Sequence, residues 1–291
     1  MKELISCWGK KAIGLIICAR ERLDYNTQNE SSRLRLEHEN KMRTKKYQEM
    51  LKNRAALPIA SLRGDMLRLL KENNVLVVCG DTGSGKTTQV PQFILDEMIE
   101  SGCGGLCNIV CTQPRRIAAI SVAERVSDER CEPAPGSNGS LVGYHVRLDN
   151  ARNENTKLLF CTTGILLRKI VGDETLTGIT HIIVDEVHER SLLGDFLLVV
   201  LKNLIEKRSV ESSSPLKVVL MSATVDSNLF SGYFGNCPVI TAEGRMHPVT
   251  TYFLEDIYES TGYHLASDSP AAVRYEVSSG KKVLETCFLL Y

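Results

Sequence analysis

A chain of 291 residues has room for one large α/β domain or two small ones, with ample core. Its 43% hydrophobic and 24% charged residues are those of a globular protein and exclude collagen-like, fibrous and disordered classes. Lys+Arg 35 balance Asp+Glu 35, so no global basic field marks a polyanion partner, and a nucleic-acid contact has to be a local patch.

The amino-terminal stretch MKELISCWGKKAIGLIICARERL places lysines before an apolar run from Ala12 to Ala19. The run is too short to span a membrane, and no small-residue cleavage site follows it. It reads as a short helix against the body, with an organelle-targeting leader as the alternative. Arg20 to Ala56 mixes both charges around Leu34, Met42, Tyr47, Met50 and Leu51, and is predicted to be a helical leader with solvated faces. Pro58 stops it, because proline disfavours the helical conformation at Leu57.

Val77 to Phe93, VVCGDTGSGKTTQVPQF, runs from an apolar strand through small residues into an amphipathic helix predicted over Gln89–Ile99. Gly80 to Thr87 fits G-x-x-x-x-G-K-[ST], a phosphate-cradling loop. Gly80, Gly83 and Gly85 permit backbone angles that let the N–H groups of Asp81, Thr82, Ser84 and their neighbours converge on phosphate oxygens. The following helix adds the positive end of its dipole. Lys86 supplies a point charge for the β- and γ-phosphates, and the Thr87 hydroxyl can ligate Mg²⁺. The expected ligand is a nucleoside triphosphate.

Beyond it the chain alternates. Strands are predicted at Leu76–Cys79, Ile109–Thr112, Leu158–Thr162, His181–Asp185 and Lys217–Ser222, with helical patterns between most of them. Short continuous apolar strands alternating with helices imply an α/β fold with a parallel sheet covered on both faces. CEPAPGSNGS (Cys131–Ser140) and ESSSP (Glu211–Pro215) read as surface loops. The 10 cysteines are scattered, several on strands, which suits a reducing compartment. Cys103, Cys107 and Cys111 lack a fourth metal ligand and read as loop or buried thiols.

HIIVDEVHER (His181–Arg190) is a buried strand ending in two carboxylates. Ligands of an open parallel sheet sit outside the carboxyl ends of its strands, so Asp185 and Glu186 should face the γ-phosphate. One can hold Mg²⁺ while the other orients or deprotonates the attacking water. MSAT (Met221–Thr224) closes another strand with two hydroxyls, which alone could merely cap a turn.

GDTGSGKT, TQPRR (Thr112–Arg116), TTG (Thr162–Gly164), DEVH (Asp185–His188) and SAT (Ser222–Thr224) come in the order and spacing of the DEAH/RNA-helicase-A-type helicases. The chain resembles the first RecA-like P-loop domain of that DExH-box family, from about Leu57 to about Gly244, and is most similar to plant members resembling the ribosome-associated DExH helicase. The resemblance implies ATP and Mg²⁺ as cofactors, RNA as partner, and ribosomal or other ribonucleoprotein components as further partners, with no membrane. It implies that Thr87, Asp185 and Glu186 serve the metal and that His188 links the nucleotide site to Ser222 and Thr224. Arg125, in AERV, matches the arginine that stacks on adenine, although a solvent-facing arginine on an amphipathic helix fits the same pattern. The expected compartment is the cytoplasm, with nucleus or chloroplast as alternatives.

For RNA, Arg115 and Arg116 follow a strand where a helix begins and can meet backbone phosphates. Thr163 and Gly164 open another helix and present N–H groups to an anion. Arg147, in GYHVR, is a further candidate that equally reads as a surface charge on a strand. Such contacts read backbone, not bases.

After EGRMHPVTTYFLEDIYES (Glu243–Ser260) the chain runs through a polar stretch to Tyr291, without a QRxGRAGR-like arginine motif. The expected organisation is a charged leader at 1–56, a RecA-like ATP-binding domain at 57–244 and an incomplete start of a second helicase domain at 245–291. A fragment or truncated product of this kind is expected to hydrolyse ATP slowly, because arginine fingers come from the second domain. Two functions remain open: a helicase motor domain, or an idle module that binds ATP and RNA.

Overall fold

Val75 to Gly80 forms β1, and all of its residues are buried. Leu76 and Val78 join one apolar cluster while Val75, Val77 and Cys79 join another, so alternate side chains enter two cores on opposite faces of a sheet. The computed structural model describes residues 25–211, 215–223, 227–244 and 250–262.

The sheet continues with β2 (Ile109–Gln113), β3 (Val142–Val146), β4 (Asp149–Ala151), β5 (Leu158–Thr162), β6 (His181–Val184), β7 (Lys217–Ser222) and β8 (Val239–Ala242). Its spatial order is β4-β3-β5-β2-β6-β7-β1-β8. Every pairing is parallel except the β3–β4 hairpin. This is the α/β architecture expected from the strand–helix alternation.

The helices are α1 (Tyr25–Met42), α2 (Lys45–Ala55), α3 (Arg63–Glu72), α4 (Lys86–Glu100), α5 (Arg116–Glu129), α6 (Thr163–Gly172), α7 (Leu192–Glu211), α8 (Ser227–Tyr233) and α9 (Leu254–Thr261). Leu34 of α1, Met66 and Leu70 of α3, Ile94 and Leu95 of α4 and Ala119 and Ala123 of α5 build the first core. Leu166 of α6, Leu197 and Leu201 of α7 and Phe230 of α8 build the second. Cys79, Cys111 and Cys161 are buried on β1, β2 and β5, and burial pushes the Cys161 thiol up to about 12.

The five strands predicted from apolar runs lie where they are expected, with one shift of consequence. β6 ends at Val184, so Asp185 stands just beyond the strand. β3, β4 and β8 carry no clear sequence signal: β3 contains Gly143 and polar Tyr144 and His145, and β4 and β8 have only three and four residues.

The leader departs further from expectation. Its faces are predicted to be solvated, yet Leu34, Tyr47 and Arg54 are almost fully buried. Leu34 and Tyr47 dock, whereas Leu36 and Met42 stay exposed. Thr44 caps α2, its hydroxyl accepting from the Tyr47 N–H, and α2 ends before Pro58.

By internal contacts the chain divides into Met1–Arg245 and Met246–Tyr291. The second unit contains α9 among its described residues. The amino-terminal apolar run Ala12–Ala19, Thr224, most of ESSSP and the stretch from 263 to 291 lie outside the described residues.

Candidate functional site

The carboxyl end of β1 leads into the glycine loop. Gly80 and Gly85 have φ of 154° and 93°, a region that side chains seldom adopt. Space enforces the choice as well: a Cβ on Gly80 would lie 2.7 Å from the Ala242 carbonyl oxygen, and one on Gly85 2.9 Å from Leu57 Cδ1. The loop is also tied to the segment before it, because the Ile59 N–H donates to the Ser84 carbonyl at 3.1 Å.

Lys86 opens α4, and its ammonium turns back into the loop. It donates to the Gly80 carbonyl, to the Asp81 carbonyl at 3.0 Å and to the Ser84 hydroxyl at 3.3 Å. Burial lowers its pKa, against the opposing pull of Asp185, Glu186 and Asp81. An ammonium held by uncharged oxygens inside a nest of N–H groups is ready to exchange them for anionic ones.

β6 lies one strand away from β1, across β7, and delivers Asp185 and Glu186 to the same edge. Asp185 is buried, and its Oδ2 accepts from Gln113 Nε2 at 2.8 Å. Its Oδ1 accepts from the Glu186 N–H at 2.9 Å, and the Thr87 side chain is among the groups that favour its charged form. Burial raises its pKa, while Gln113, Thr87 and the Glu186 amide work against that rise. Glu186 takes a left-handed conformation with φ 55° and ψ 39°, a strained state for a glutamate that active sites commonly hold. Its pKa is raised by burial and by the Asp185 charge, with His188 and Lys86 opposing.

His188 joins the next strand. Its Nδ1 accepts from the Ala223 N–H at 3.2 Å and lies 3.4 Å from Glu186 Oε2. Ser222, fully buried, ends β7 beside it. These contacts give a direct path from Glu186 to the strand carrying MSAT.

A cavity of ≈ 310 Å³ brings the pieces together: it is lined by Thr82, Gly83, Gly85, Lys86 and Thr87 of the loop, by Glu186 and Ala223, and by Arg125 and Glu129. Arg125 is 63% exposed, yet its Nε donates to Glu129 Oε1 at 2.9 Å, so it is both solvent-facing and held. Glu129 Oε2 accepts from Gln89 and Gln92, each at 2.8 Å.

The other candidates lie on the other half of the carboxyl edge, where β3, β5 and β2 end. Arg115 caps α5 and reaches Glu189 at 3.3 Å, and Arg116 beside it is exposed. Thr163 and Gly164 begin α6, and Thr163 shares a small concavity with Asp185, Glu186 and Arg190. Arg147, expected on a strand, stands instead in the exposed turn between β3 and β4, because β3 ends at Val146 and the chain reverses there.

Gln113, Gln89, Glu129 and Leu57 are site residues that the sequence does not single out. Glu129 leaves a trace in its i,i+4 spacing from Arg125. Gln113 lies inside TQPRR, whereas Leu57 and Gln89 give no local signal.

A family model described as DEAD/DEAH box helicase matches residues 63–231, more than half of the chain. Among curated proteins, the DExH-box ATP-dependent RNA helicase DExH4, chloroplastic, of Arabidopsis thaliana is 65% identical over 91% of this chain and 18% of its own length. The ATP-dependent RNA helicase DHX29 of Mus musculus is 52% identical over 78% of this chain and 16% of its own length. The DExH-box ATP-dependent RNA helicase DExH1 of Arabidopsis thaliana is 47% identical over 81% of this chain and 23% of its own length. The chain thus spans about a fifth of the length of these relatives.

Proposed function

We propose, for a chain that belongs to the DEAD/DEAH box helicase family, that it binds ATP and RNA as the RecA-like motor domain of a DExH-box RNA helicase. The observation that carries this reading is the meeting of the glycine loop, Asp185, Glu186 and Arg125 at one site, with the loop, Glu186 and Arg125 lining a single cavity. We assign the ATP-binding domain to 57–244, the start of a second helicase domain to 245–291, and the leader to 1–56.

In this reading the triphosphate lies along the loop N–H groups at the start of α4, and Lys86 exchanges the Gly80 and Asp81 carbonyls for β- and γ-phosphate oxygens. Thr87, Asp185 and Glu186 form an all-oxygen donor set suited to a hard cation, and they would hold Mg²⁺. When bound, that ion would offset charge on the phosphate oxygens. Glu186 orients the attacking water and accepts its proton. Ser222, next to the Ala223 that bonds His188, reports the state of the site to the rest of the edge, and we assign Thr224 the same role from its place in SAT. Arg125, with its fork fixed by Glu129, offers a flat face to the base.

RNA lies across Arg115, Arg116, Thr163, Gly164 and Arg147 on the other half of the edge, held by its backbone. Ribonucleoprotein components are the partners we propose for the longer protein. Among the described residues no helix is long and apolar enough to cross a membrane. The compartment we propose is the cytoplasm, with the chloroplast as the second reading because one relative is named as chloroplastic.

Binding without brisk turnover is the second functional reading. Among the described residues lining the cavity the cations are Lys86 and Arg125, and we assign Arg125 to the base. Steady-state ATP hydrolysis with and without RNA separates the two.

Lys86→Ala tests the site itself. It removes a charged ligand contact, worth ~1.5–3 kcal/mol, so affinity for an ATP analogue should fall about 10- to 100-fold with the melting temperature preserved. Binding as tight as wild type in calorimetry would sink the phosphate-loop reading.

Arg115→Ala with Arg116→Ala tests the RNA face. The Arg115–Glu189 pair is exposed and costs little to break, so the arginine is free to turn to phosphate. The double variant should weaken binding evenly across unrelated single-stranded RNAs and flatten the log K against log salt slope by ~0.7 for each phosphate no longer neutralised. Effects that differ between sequences would count against backbone reading.

A further inference from the structure

A line of buried polar side chains runs from the leader to the base end of the cavity. Arg54, on α2, donates from Nε to Gln89 Oε1 at 2.8 Å and from Nη2 to Asp96 Oδ2 at 3.2 Å. Gln89 then donates from Nε2 to Glu129 Oε2, which also takes Gln92, while Glu129 Oε1 takes Arg125. Arg54, Gln89 and Glu129 are at most 5% exposed. Desolvated hydrogen bonds of this kind are strong and fix rotamers, so the orientation of one member constrains the next.

The exposed end of the line behaves differently. Arg125 has a solvated side chain anchored by the Glu129 carboxylate. Its direction over the cavity therefore depends on where Glu129 points. Glu129 in turn is oriented by two amides, one of which is itself fixed by Arg54.

We infer that Arg54 is a positioning residue for the base end of the nucleotide site, acting through Gln89 and Glu129 on Arg125, which makes the leader helix α2 a working part of that site. The inference rests on the proposed nucleotide reading of the cavity and deepens it. The ligand it concerns is the base of a nucleoside triphosphate, because the line ends on Arg125, the side chain proposed to face the base. Gln89 also donates to Thr88 at 2.9 Å beside the loop, which is why a ligand without a base is the necessary control. Leu57 supports the same view, since the segment that follows α2 also lines the cavity.

Arg54→Lys is the informative change. An ammonium keeps the charge beside Asp96 but cannot reach Asp96 and Gln89 with a rigid fork. The experiment is calorimetric titration of the 291-residue chain with Mg²⁺ and either a non-hydrolysable ATP analogue or inorganic tripolyphosphate, which has the phosphates without the base. Wild type, Arg54→Lys, Arg125→Ala and the double variant are compared. Arg54→Lys should weaken the analogue about 3- to 10-fold and leave tripolyphosphate unchanged, and should add nothing once Arg125 is alanine, since residues acting in series are not additive.

If Arg54→Lys does not fold, Glu129→Gln, of the same shape, should reproduce the pattern. A full Arg54→Lys effect in the Arg125→Ala background, or equal weakening for both ligands, would overturn the inference and leave Arg54 a structural tie. Glu129→Gln binding the analogue like wild type would overturn it as well. Wild type that binds neither ligand would overturn the nucleotide reading and this inference together.

Discussion

Glu186→Gln should change ATP turnover by less than about twofold in the 291-residue chain alone, and by ~10²–10⁴-fold once a second RecA-like domain is joined to it. Lys86 and Arg125 are the cations lining the cavity among the described residues, and Arg125 is assigned to the base in our proposal, so charge developing on a transferred phosphoryl group would meet little beyond the loop and whatever metal is held there. An arginine brought by a second domain can raise the rate ~10³–10⁵-fold. Without it the chemical step is expected to be slow already, and removing the carboxylate proposed to activate water should cost little more, because such groups act as a unit. Binding should survive in both settings, since glutamine keeps the size of Glu186. The measurement is steady-state turnover with RNA for four proteins: the chain alone or joined to the second domain of a relative, each with Glu186 intact or replaced by glutamine. Brisk, Glu186-dependent hydrolysis by the chain alone would reject the expectation that turnover needs a second domain.

Asp96→Asn should cost ~3–5 kcal/mol of folding stability, the range for breaking a buried ion pair by removing one partner. Asp96 is buried between two arginines, accepting from Arg130 Nη1 at 2.6 Å and from Arg54 Nη2 at 3.2 Å. Burial pushes its carboxyl pKa up, but the Arg130 and Arg54 charges and the Arg130 hydrogen bond outweigh burial and hold it at about 2. Arg130 is itself wholly buried and spans to Glu132 at 2.9 Å, so the asparagine variant leaves two guanidinium groups short of charge compensation. The folded pKa lies below the ordinary carboxylate value of about 3.9, so the stabilisation is fully present above about pH 4 and fades as pH falls through about 2. Urea unfolding of both proteins at about pH 7, 4 and 2 should show a large gap at the first two and a closing one at the last. A gap below about 1 kcal/mol at neutral pH would mean that the pair is replaceable there.

The chemistry is legible in the sequence where it is local. Gly80 to Thr87 reads as a phosphate loop because its glycines, lysine and threonine must be consecutive for one turn to cradle one group. Asp185 and Glu186 read as site residues because an apolar strand in a parallel sheet ends at the ligand edge. The docking of the leader is not legible, since scattered Leu34, Tyr47 and Arg54 make no periodic stripe; what buries them is the surface of α4 and α5 and their neighbours. Arg147 reads as a strand residue because VGYHV gives no sign of where its hairpin turns.

Amino-acid order by itself determined the α/β class and five of the eight strands among the described residues, and it singles out Gly80–Thr87 and the Asp185–Glu186 pair as candidates. Each strand, the loop and the carboxylate pair depends on residues within about ten positions of one another, the range over which backbone geometry and side-chain periodicity act, and the class follows from their alternation. Only the tertiary structure decided that Gln89 and Gln92 hold Glu129, that Gln113 holds Asp185, that His188 meets Ala223, and that Arg54 and Asp96 join the leader to α4. Most of these contacts span tens of residues and are made by polar groups that carry no hydrophobic period. Such pairs form only when the packing of the two cores brings them together and burial makes leaving them unpaired too costly.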